Sequence, residues 1–560
     1  MYIRLTKAPS NKDYLVYLVE SYRDEQKKTK QRIIKSFGKL GDLTKEDPDA
    51  LEKLKRWAKE ETERQKKEKN VTFSLDLGEA QAGDQKPRNL GYAVLEHFYN
   101  TLGIKDVLKK HQGTTRFRHD LDEILRLLVF SRALAPASKQ RTYADRGNYF
   151  LGLADFPLAA VYKSLDHLHA LKDAIMKQMH RAITEEYGRD CTLVFYDVTN
   201  YYFESDVFTG LRQKGVSKEK KKTGIVQMGL FLDANGVPIT YELFPGNTND
   251  YATMKPILTK VKEDFGIENI TIVADKGNNS AANTAYIDEQ GDHYIIAQRI
   301  RYPGNKLADI VLDEEGYKQT PNGFRFKTVA RERKAGSRSI TEHLICVYSE
   351  KEAAYQRRKR GDLEEILQKF LDDPSLLKSS NRFGMKKYIQ TEEVEPTTGE
   401  LRHTKTVATF DREKYERDTA LDGYYALVTN DLSLSAFDVI KAYKGLYRIE
   451  ESFRVTKSDL EGRPVYVWSD AHIRGHFLTC YIALTLYRLL QRKTDCKYSV
   501  KSLQEALTSA QAVKLQKDIY LLHDTTEVFK EVNRLFEYSL DYKRMRLEDL
   551  RASLKAIARP

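Results

Sequence analysis

The sequence predicts an α/β protein with a β-rich insertion and helical flanks, on three observations. Two short apolar runs of strand formers, Thr192-Leu-Val-Phe-Tyr and Ile270-Thr-Ile-Val-Ala, each end in an aspartate, Asp197 and Asp275. Between residues 299 and 420 the alternation of strand and helix patterns stops, and it resumes at Tyr424-Tyr-Ala-Leu-Val-Thr. That run feeds a helical stretch, Tyr443 to Lys457, in which Tyr443, Glu450 and Lys457 recur every seven residues.

Bulk properties narrow the class. At 560 residues the chain exceeds one ordinary domain, and 41% hydrophobic residues suffice for real cores. A formal net charge of +12 suggests a polyanion partner, most commonly nucleic acid. The four cysteines, Cys191, Cys346, Cys480 and Cys496, form no C-x-x-C pair and have no histidine cluster beside them. This argues against structural zinc and a disulfide framework and fits a reducing cytosol, so a cytoplasmic location is expected, nucleoid-associated if the polyanion is DNA. Cys191 and Cys480 read as core. The start, Met1-Tyr-Ile-Arg-Leu-Thr-Lys, has no apolar signal core. Phe477 to Leu490 is the most apolar segment but falls short of the roughly 20 residues of a membrane span, so it reads as a buried helix.

In chain order, residues 1–80 read as a β-hairpin plus a basic helix. Tyr14 to Tyr22 is rich in strand formers, and a polar turn at Asp24 to Lys30 returns it into Arg32-Ile-Ile-Lys-Ser-Phe. Asp47 to Lys69 is a charged helix with Leu51, Leu54, Trp57 and Ala58 as its apolar stripe. Its lysines serve either DNA phosphates or a solvated face. Val71 to Leu77 reads as a strand and residues 81–90 as a linker. Residues 91–190 are helical in pattern, with basic connectors such as Arg116-Phe-Arg-His that suit a DNA-binding domain.

From residue 191 the pattern changes. After Thr192 to Tyr196 come Val226 to Asp233 and Pro238 to Phe244, joined by the turn Ala234-Asn-Gly. Then follow a helix over Asp250 to Phe265, the strand ending at Asp275, a helix over Ala281 to Gln290 and a strand Tyr294-Ile-Ile-Ala. Three adjacent strands followed by alternating helix and strand is the order of a ribonuclease-H-like sheet. The expected catalytic domain is 191–298 plus 421–464, interrupted by a mostly β insertion at 299–420 and followed by a C-terminal helical region, 465–560.

The Tyr443 to Lys457 stretch reads as one helix starting at Ser435, with Asp438 as its capping-box partner. Two turns cover about 7.2 residues, so Tyr443, Glu450 and Lys457 share one stripe. Glu450 and Arg454 also form an ordinary i,i+4 surface pair worth a few tenths of a kcal/mol. What lifts the stretch above that reading is Asp197 and Asp275. On such a sheet these lie at strand ends, on neighbouring central strands, where open α/β sheets form sites. Alone, each would pass for a turn residue. Three converging carboxylates repel unless cations neutralise them, and Mg²⁺, with Mn²⁺ as a substitute, suits a site of carboxylates, water and phosphate oxygens. Two such ions support in-line phosphoryl transfer.

These segments resemble bacterial insertion-sequence transposases of the DDE type with a Y-R-E-K signature. Tyr196-Asp-Val-Thr-Asn-Tyr-Tyr-Phe-Glu resembles the first-aspartate motif and Val273-Ala-Asp-Lys-Gly the second. Phe244-Pro-Gly-Asn-Thr-Asn-Asp resembles the segment between them, and Tyr443, Glu450 and Lys457 match the signature's tyrosine, glutamate and lysine. The signature's arginine is Leu446 here, with Arg448 or Arg454 as replacements for its phosphate contact. The resemblance implies catalytic and metal-binding roles for Asp197, Asp275 and Glu450, and DNA contacts from Tyr443 and Lys457. It implies binding of terminal inverted repeats, metal-assisted cleavage, transfer of 3′ ends to target DNA, and a homodimer on paired ends.

Other residues keep two readings. Glu451 competes with Glu450 but is rotated about 100° from the stripe. Lys457 serves phosphate or the helix dipole. The run Lys218-Glu-Lys-Lys-Lys, including Lys220, Lys221 and Lys222, grips DNA backbone or is a solvated loop. His472 and His476 have metal-compatible spacing but no acid partner, which favours helix core or interface. The rival functions are a related nuclease without strand joining and a catalytically silent DNA-binding derivative. A glycosidase is a distant third.

Overall fold

Leu193–Tyr202 forms β1, the strand around which the large sheet of this protein is built. In the computed structural model the described residues are 2–7, 13–23, 29–69, 86–215, 222–301, 306–320, 323–336, 338–372, 388–394, 405–516, 518–523, 525–536, 540 and 543–560. They fall into two compact units, Met1–Gly83 and Asp84–Pro560.

In the first unit, Tyr2–Lys7, Tyr14–Arg23 and Thr29–Lys39 form an antiparallel three-stranded sheet, one strand more than the expected hairpin. The helices Leu40–Glu46 and Ala50–Lys69 follow. Val16, Leu18, Val19 and Ala58 are buried, while Trp57 meets Phe37 edge-on at 6.1 Å and stays partly in water. The strand expected at Val71 to Leu77 and most of the expected linker lie outside the described residues. The end of that linker is tied down in the second unit, where Arg88–Asn89 pairs with Gln511–Ala512.

The second unit's sheet comprises β1, β2 (Ile225–Leu232), β3 (Pro238–Pro245), β4 (Thr271–Ala274), β5 (His293–Ala297), β6 (Lys318–Gln319), β7 (Phe324–Ala335), β8 (Arg338–Ser349) and β9 (Tyr424–Thr429). Their order is β6-β7-β8-β9-β5-β4-β1-β2-β3. β1, β4 and β5 run parallel, and every other pairing is antiparallel. The β2–β3 turn needs Gly236, whose φ of +81° suits a residue without Cβ.

The insertion is not a separate layer. β7, β8 and β9 continue the sheet on the flank of β5, with Leu427 opposite Ala297, and so cover what would be an open edge. Among its described residues it is not mostly β: beside its strands, which include the antiparallel pair Ile389–Val394 and Lys405–Phe410, it carries the helices Leu307–Leu312, Glu350–Asp372 and Arg412–Ala420.

Alternate residues of β1 face different cores. Phe195 and Tyr201 join one with the helices α1 (Leu121–Leu134), α2 (Leu158–Tyr187) and α7 (Asp470–Lys493). Val194, Tyr196 and Val198 join the other, under α3 (Asp250–Phe265) and α4 (Ala281–Glu289). The helices of 91–190 and 465–560 therefore share one core with the sheet, and the expected separation into a helical domain at each flank does not appear. The C-terminal part is not wholly helical either: Gln511–Gln516, Ile519–Leu522 and Arg544–Arg546 make a small sheet with Arg88–Asn89. α7 is buried almost all round, as its composition requires, and no helix among the described residues is long and apolar enough to cross a membrane. Cys480 is buried within it, whereas Cys191 is only half-buried.

α7 approaches α2 at Gly475, where an added Cβ would sit 2.7 Å from the Leu165 carbonyl oxygen. Gly475→Ala should therefore lower stability by about 1–3 kcal/mol, because backbone cannot yield. Gly361→Ala, in open space within a helix, should be neutral or raise stability by up to about 1 kcal/mol. Thermal unfolding of both variants against the parent checks this pair of opposite signs.

Candidate active site

The parallel pairing of β1 with β4 ends at Tyr196 opposite Ala274, so Asp197 and Asp275 leave the paired region side by side. Neighbouring strands lie about 4.8 Å apart, which sets the backbone separation at that point. Asp197 is not at a strand end as expected. It is the fifth of ten residues in β1, which runs on to Tyr202 because β2 keeps pairing there while β4 has stopped. Asp275 precedes the short 3₁₀ turn Lys276–Asn278, its carbonyl accepting the Asn278 amide at 3.0 Å while its carboxylate makes no cap bond. Both aspartates are half-buried.

Glu450 reaches this edge on a broken helix. α5 (Ala436–Lys444) begins at Ser435, whose Oγ accepts the Asp438 amide at 3.2 Å, as the capping pattern predicts. It stops at Gly445, α6 (Tyr447–Arg454) follows, and the chain then makes one π turn, Val455–Asp459. The single straight stripe through Tyr443, Glu450 and Lys457 is therefore corrected. The cause is packing on β1. A Cβ at Gly445 would lie 2.6 Å from the Phe195 ring, and at the other end the Thr456 hydroxyl meets the Tyr201 hydroxyl at 2.6 Å. α6 runs along β1 between these two anchors. Asp197 lies between Phe195 and Tyr201 on the strand, on their side of it, and Glu450 lies between Gly445 and Thr456 on the helix.

The break keeps Tyr443 and Glu450 on the same cleft. A hollow of about 790 Å³ is lined by Asp275, Tyr443 and Glu450 on one side and by Phe324, Val347, Tyr424 and Tyr425 of the sheet extension on the other. The Tyr443 hydroxyl donates to Asp275 Oδ1 at 3.5 Å. Burial, with the Asp275 carboxylate beside it, pushes the Tyr443 hydroxyl well above the ordinary tyrosine range, so it remains a donor. Four cations also line the cleft and were not singled out from sequence: Lys276, Arg299, Arg301 and Lys444. Lys276 directly follows Asp275, a signal that could have found it. Arg299 and Arg301 follow β5 in an unremarked loop.

Glu451 is separated from Glu450 by its partner. Arg488, itself buried, donates from Nη1 to Glu451 at 2.9 Å and from Nη2 to Ser452 Oγ at 2.7 Å and the Arg448 carbonyl at 3.3 Å. Arg448 and Arg454 do not line the cleft. Arg448 lies over the rings of Tyr447 and Phe195 and against the Gly236 turn, and Arg454 pairs with Asp459 at 3.1 Å. Lys457 is half-buried, its Nζ 5.7 Å from the Tyr201 ring centre. Lys222 is exposed, and Lys220 and Lys221 lie outside the described residues. His476 is buried against the Gly462 carbonyl and Cys480, and burial pushes its pKa well below the ordinary value. His472 faces Asp166 at 3.4 Å, so the two histidines do not share a ligand.

Among the described residues no three His, Cys, Asp or Glu side chains stand close enough together to hold one metal ion. Asp275 and Glu450 face one cleft and Asp197 adjoins Asp275, rather than all three being closed up.

Residues 205–486, half of the chain, match the family model of the transposase DDE domain. The chain belongs to the DDE transposases, and its activity is DNA transposition. Residues 5–74 match the family model of the N-terminal domain of IS1634 family transposases. The DDE match contains Asp275 and Glu450 and begins after Asp197. DDE transposases generally use divalent metal ions. No curated protein matches the chain. Among solved structures, the piggyBac transposase synaptic complex with hairpin DNA aligns at 9% identity and a TM-score of 0.36, over 85% of this chain and 88% of that one. The Mos1 transposase paired-end complex aligns at 11% identity and a TM-score of 0.14, over 43% and 66%.

Glu451→Gln should cost about 2 kcal/mol of stability by leaving Arg488 without its counter-charge, less than for a fully buried pair because Glu451 is partly in water. Glu450→Gln should leave stability unchanged within about 0.5 kcal/mol. Urea unfolding of the two variants distinguishes the neighbouring glutamates without any activity measurement.

Proposed function

We propose that the protein binds the terminal inverted repeats of its element as duplex DNA, cuts there, and joins the freed 3′ ends to target DNA. Asp197, Asp275 and Glu450 are its catalytic carboxylates. The observation that carries this is the meeting of Asp275 and Glu450 in one cleft, with Asp197 on β1 just past its last pairing with β4, beside Asp275. The strand order β3-β2-β1-β4-β5, three antiparallel then two parallel, is that of a ribonuclease-H-like core and supports the same reading.

The donors at this edge are carboxylate oxygens, which suit Mg²⁺, with Mn²⁺ as a substitute. Asp197, Asp275 and Glu450 would hold such ions, whose chemistry there would be activation of a water or 3′-hydroxyl and neutralisation of the leaving oxygen. The chain's own groups position and neutralise. Tyr443 acts on Asp275, fixing its carboxylate, rather than on DNA. Lys276, Arg299 and Lys444 line the cleft where phosphate charge would lie. Lys457 remains a phosphate contact in this reading, and Lys220, Lys221 and Lys222 a backbone grip. Arg448 and Arg454, engaged elsewhere, drop out as substitutes for the signature's arginine. Two copies on paired ends complete the assembly.

The test mixes purified protein with a labelled element end and Mg²⁺. Asp197→Asn, Asp275→Asn and Glu450→Gln should each cut cleavage by more than about a thousandfold while leaving end binding within about twofold. Full cleavage by any one of them removes that residue from the site. Pre-cut ends supplied with target DNA should give joined product. Cleavage without joining would instead identify a nuclease, and end binding without metal-dependent cleavage a silent derivative.

A further inference from the structure

Beyond Asp197, β1 runs on to Tyr202, and a later segment docks against its end. The Val465 amide donates to the Tyr202 carbonyl at 3.0 Å, and Phe203 bridges to Val465. In this segment Val465 and Val467 are 1% and 4% exposed, whereas Tyr466 and Trp468 are 60% and 52% exposed. The alternation holds two large rings in water, since turning them inward would pull both valines out of the core. Phe208, also exposed, lies nearby against Gly224.

Beneath Trp468 lies Arg212, only 5% exposed. Its guanidinium carbon is 5.1 Å from the Trp468 ring and 5.6 Å from that of Phe203. Nη2 donates to Thr209 Oγ1 at 3.1 Å, and Nε has no hydrogen-bond partner. Among the described residues no carboxylate lies within ion-pair distance of Arg212. A buried cation with an unused donor, under an exposed aromatic pair, lacks two complements: an anion and a flat π surface. A nucleotide supplies both, as phosphate and base. An apolar protein surface laid over these rings would bury the Arg212 charge further without compensating it.

We propose that Tyr466, Trp468 and Arg212 form a stacking site for unpaired bases of a DNA strand. In a duplex each base face is already stacked on its neighbour, so an exposed ring reaches a base only where pairing has been lost. The segment that carries Tyr466 and Trp468 docks at the far end of β1, the strand that carries Asp197. Tyr202 is five residues further on, about 16 Å at 3.3 Å per residue, or roughly five nucleotides of stacked strand. The site would hold the strand opened next to the cut. This rests on the DNA-transposing role above but not on the three acids.

The test exploits the chain's two tryptophans, Trp57 and Trp468. In Trp57→Phe, Trp468 is the only indole, and the full-length protein is titrated without metal with single-stranded oligothymidylate and with a paired duplex of equal length. Saturable quenching of Trp468 emission by the single strand is expected. Trp468→Ala should weaken single-strand binding about tenfold, read by anisotropy of a labelled oligonucleotide in an otherwise unchanged chain, so the result does not depend on Trp57→Phe folding. Duplex affinity should move by less than about twofold, and Trp468→Phe should restore most of the loss. Unchanged emission at saturating oligonucleotide, or equal weakening of single-strand and duplex binding, overturns the proposal. So does an emission change that follows protein concentration without DNA, which would make this face a contact between copies. Because no cleavage is measured, failure here leaves the catalytic carboxylates standing, and failure of those leaves this site standing.

Discussion

The close seating of α6 along β1 is the constraint on which the site depends. Gly445 brings the helix start against Phe195, and the Thr456–Tyr201 hydroxyl contact fixes its far end. Between them the back of the helix is held by Arg488, which engages Glu451, Ser452 and the Arg448 carbonyl together. Of the two adjacent glutamates, one is thereby spent on structure and the other is left to the cleft. A buried arginine with four partners, Gln491 Oε1 at 2.7 Å being the fourth, is costly to disturb, so the orientation of Glu450 is set before any ligand arrives.

The same economy explains the sheet extension. β5 would be an edge strand exposing unpaired backbone groups, and β9 with β8 and β7 covers it. In doing so they raise a second wall opposite α6, which turns a strand edge into a cleft. The wall carries aromatic rings, and the cations Arg299 and Arg301 stand where β5 meets it. Arg301 is partly committed, pairing with Asp422 at 3.2 Å, so its charge is shared between holding the extension and facing the cleft.

The strand-forming runs were legible because they are local patterns and their order carries the sheet; Asp275 does follow its run, whereas β1 continues past Asp197 because β2 goes on pairing there. The capping residue Ser435 was legible for the same reason. The break at Gly445 and the π turn after Arg454 were not, although the glycine was visible. Helical periodicity extends through a single glycine, and only the approach of Phe195 makes the glycine decisive. Arg448 and Arg454 looked like candidates by spacing alone, and their partners, the Gly236 turn and Asp459, come from packing. The flanking helices looked like separate domains because each segment has its own apolar period. Periodicity cannot say that two stripes bury against one another.

By itself the sequence determined the strand-forming runs, the acid that follows the run of β4, the buried character of α7 and the family to which the motifs belong, because these depend on residues close together in the chain. Only the tertiary structure decided which of Glu450 and Glu451 is open to the cleft, which cations line it, and that the insertion is part of the sheet. Those outcomes depend on contacts between residues tens to hundreds of positions apart, where the competition for space and for buried hydrogen-bond partners is resolved by packing.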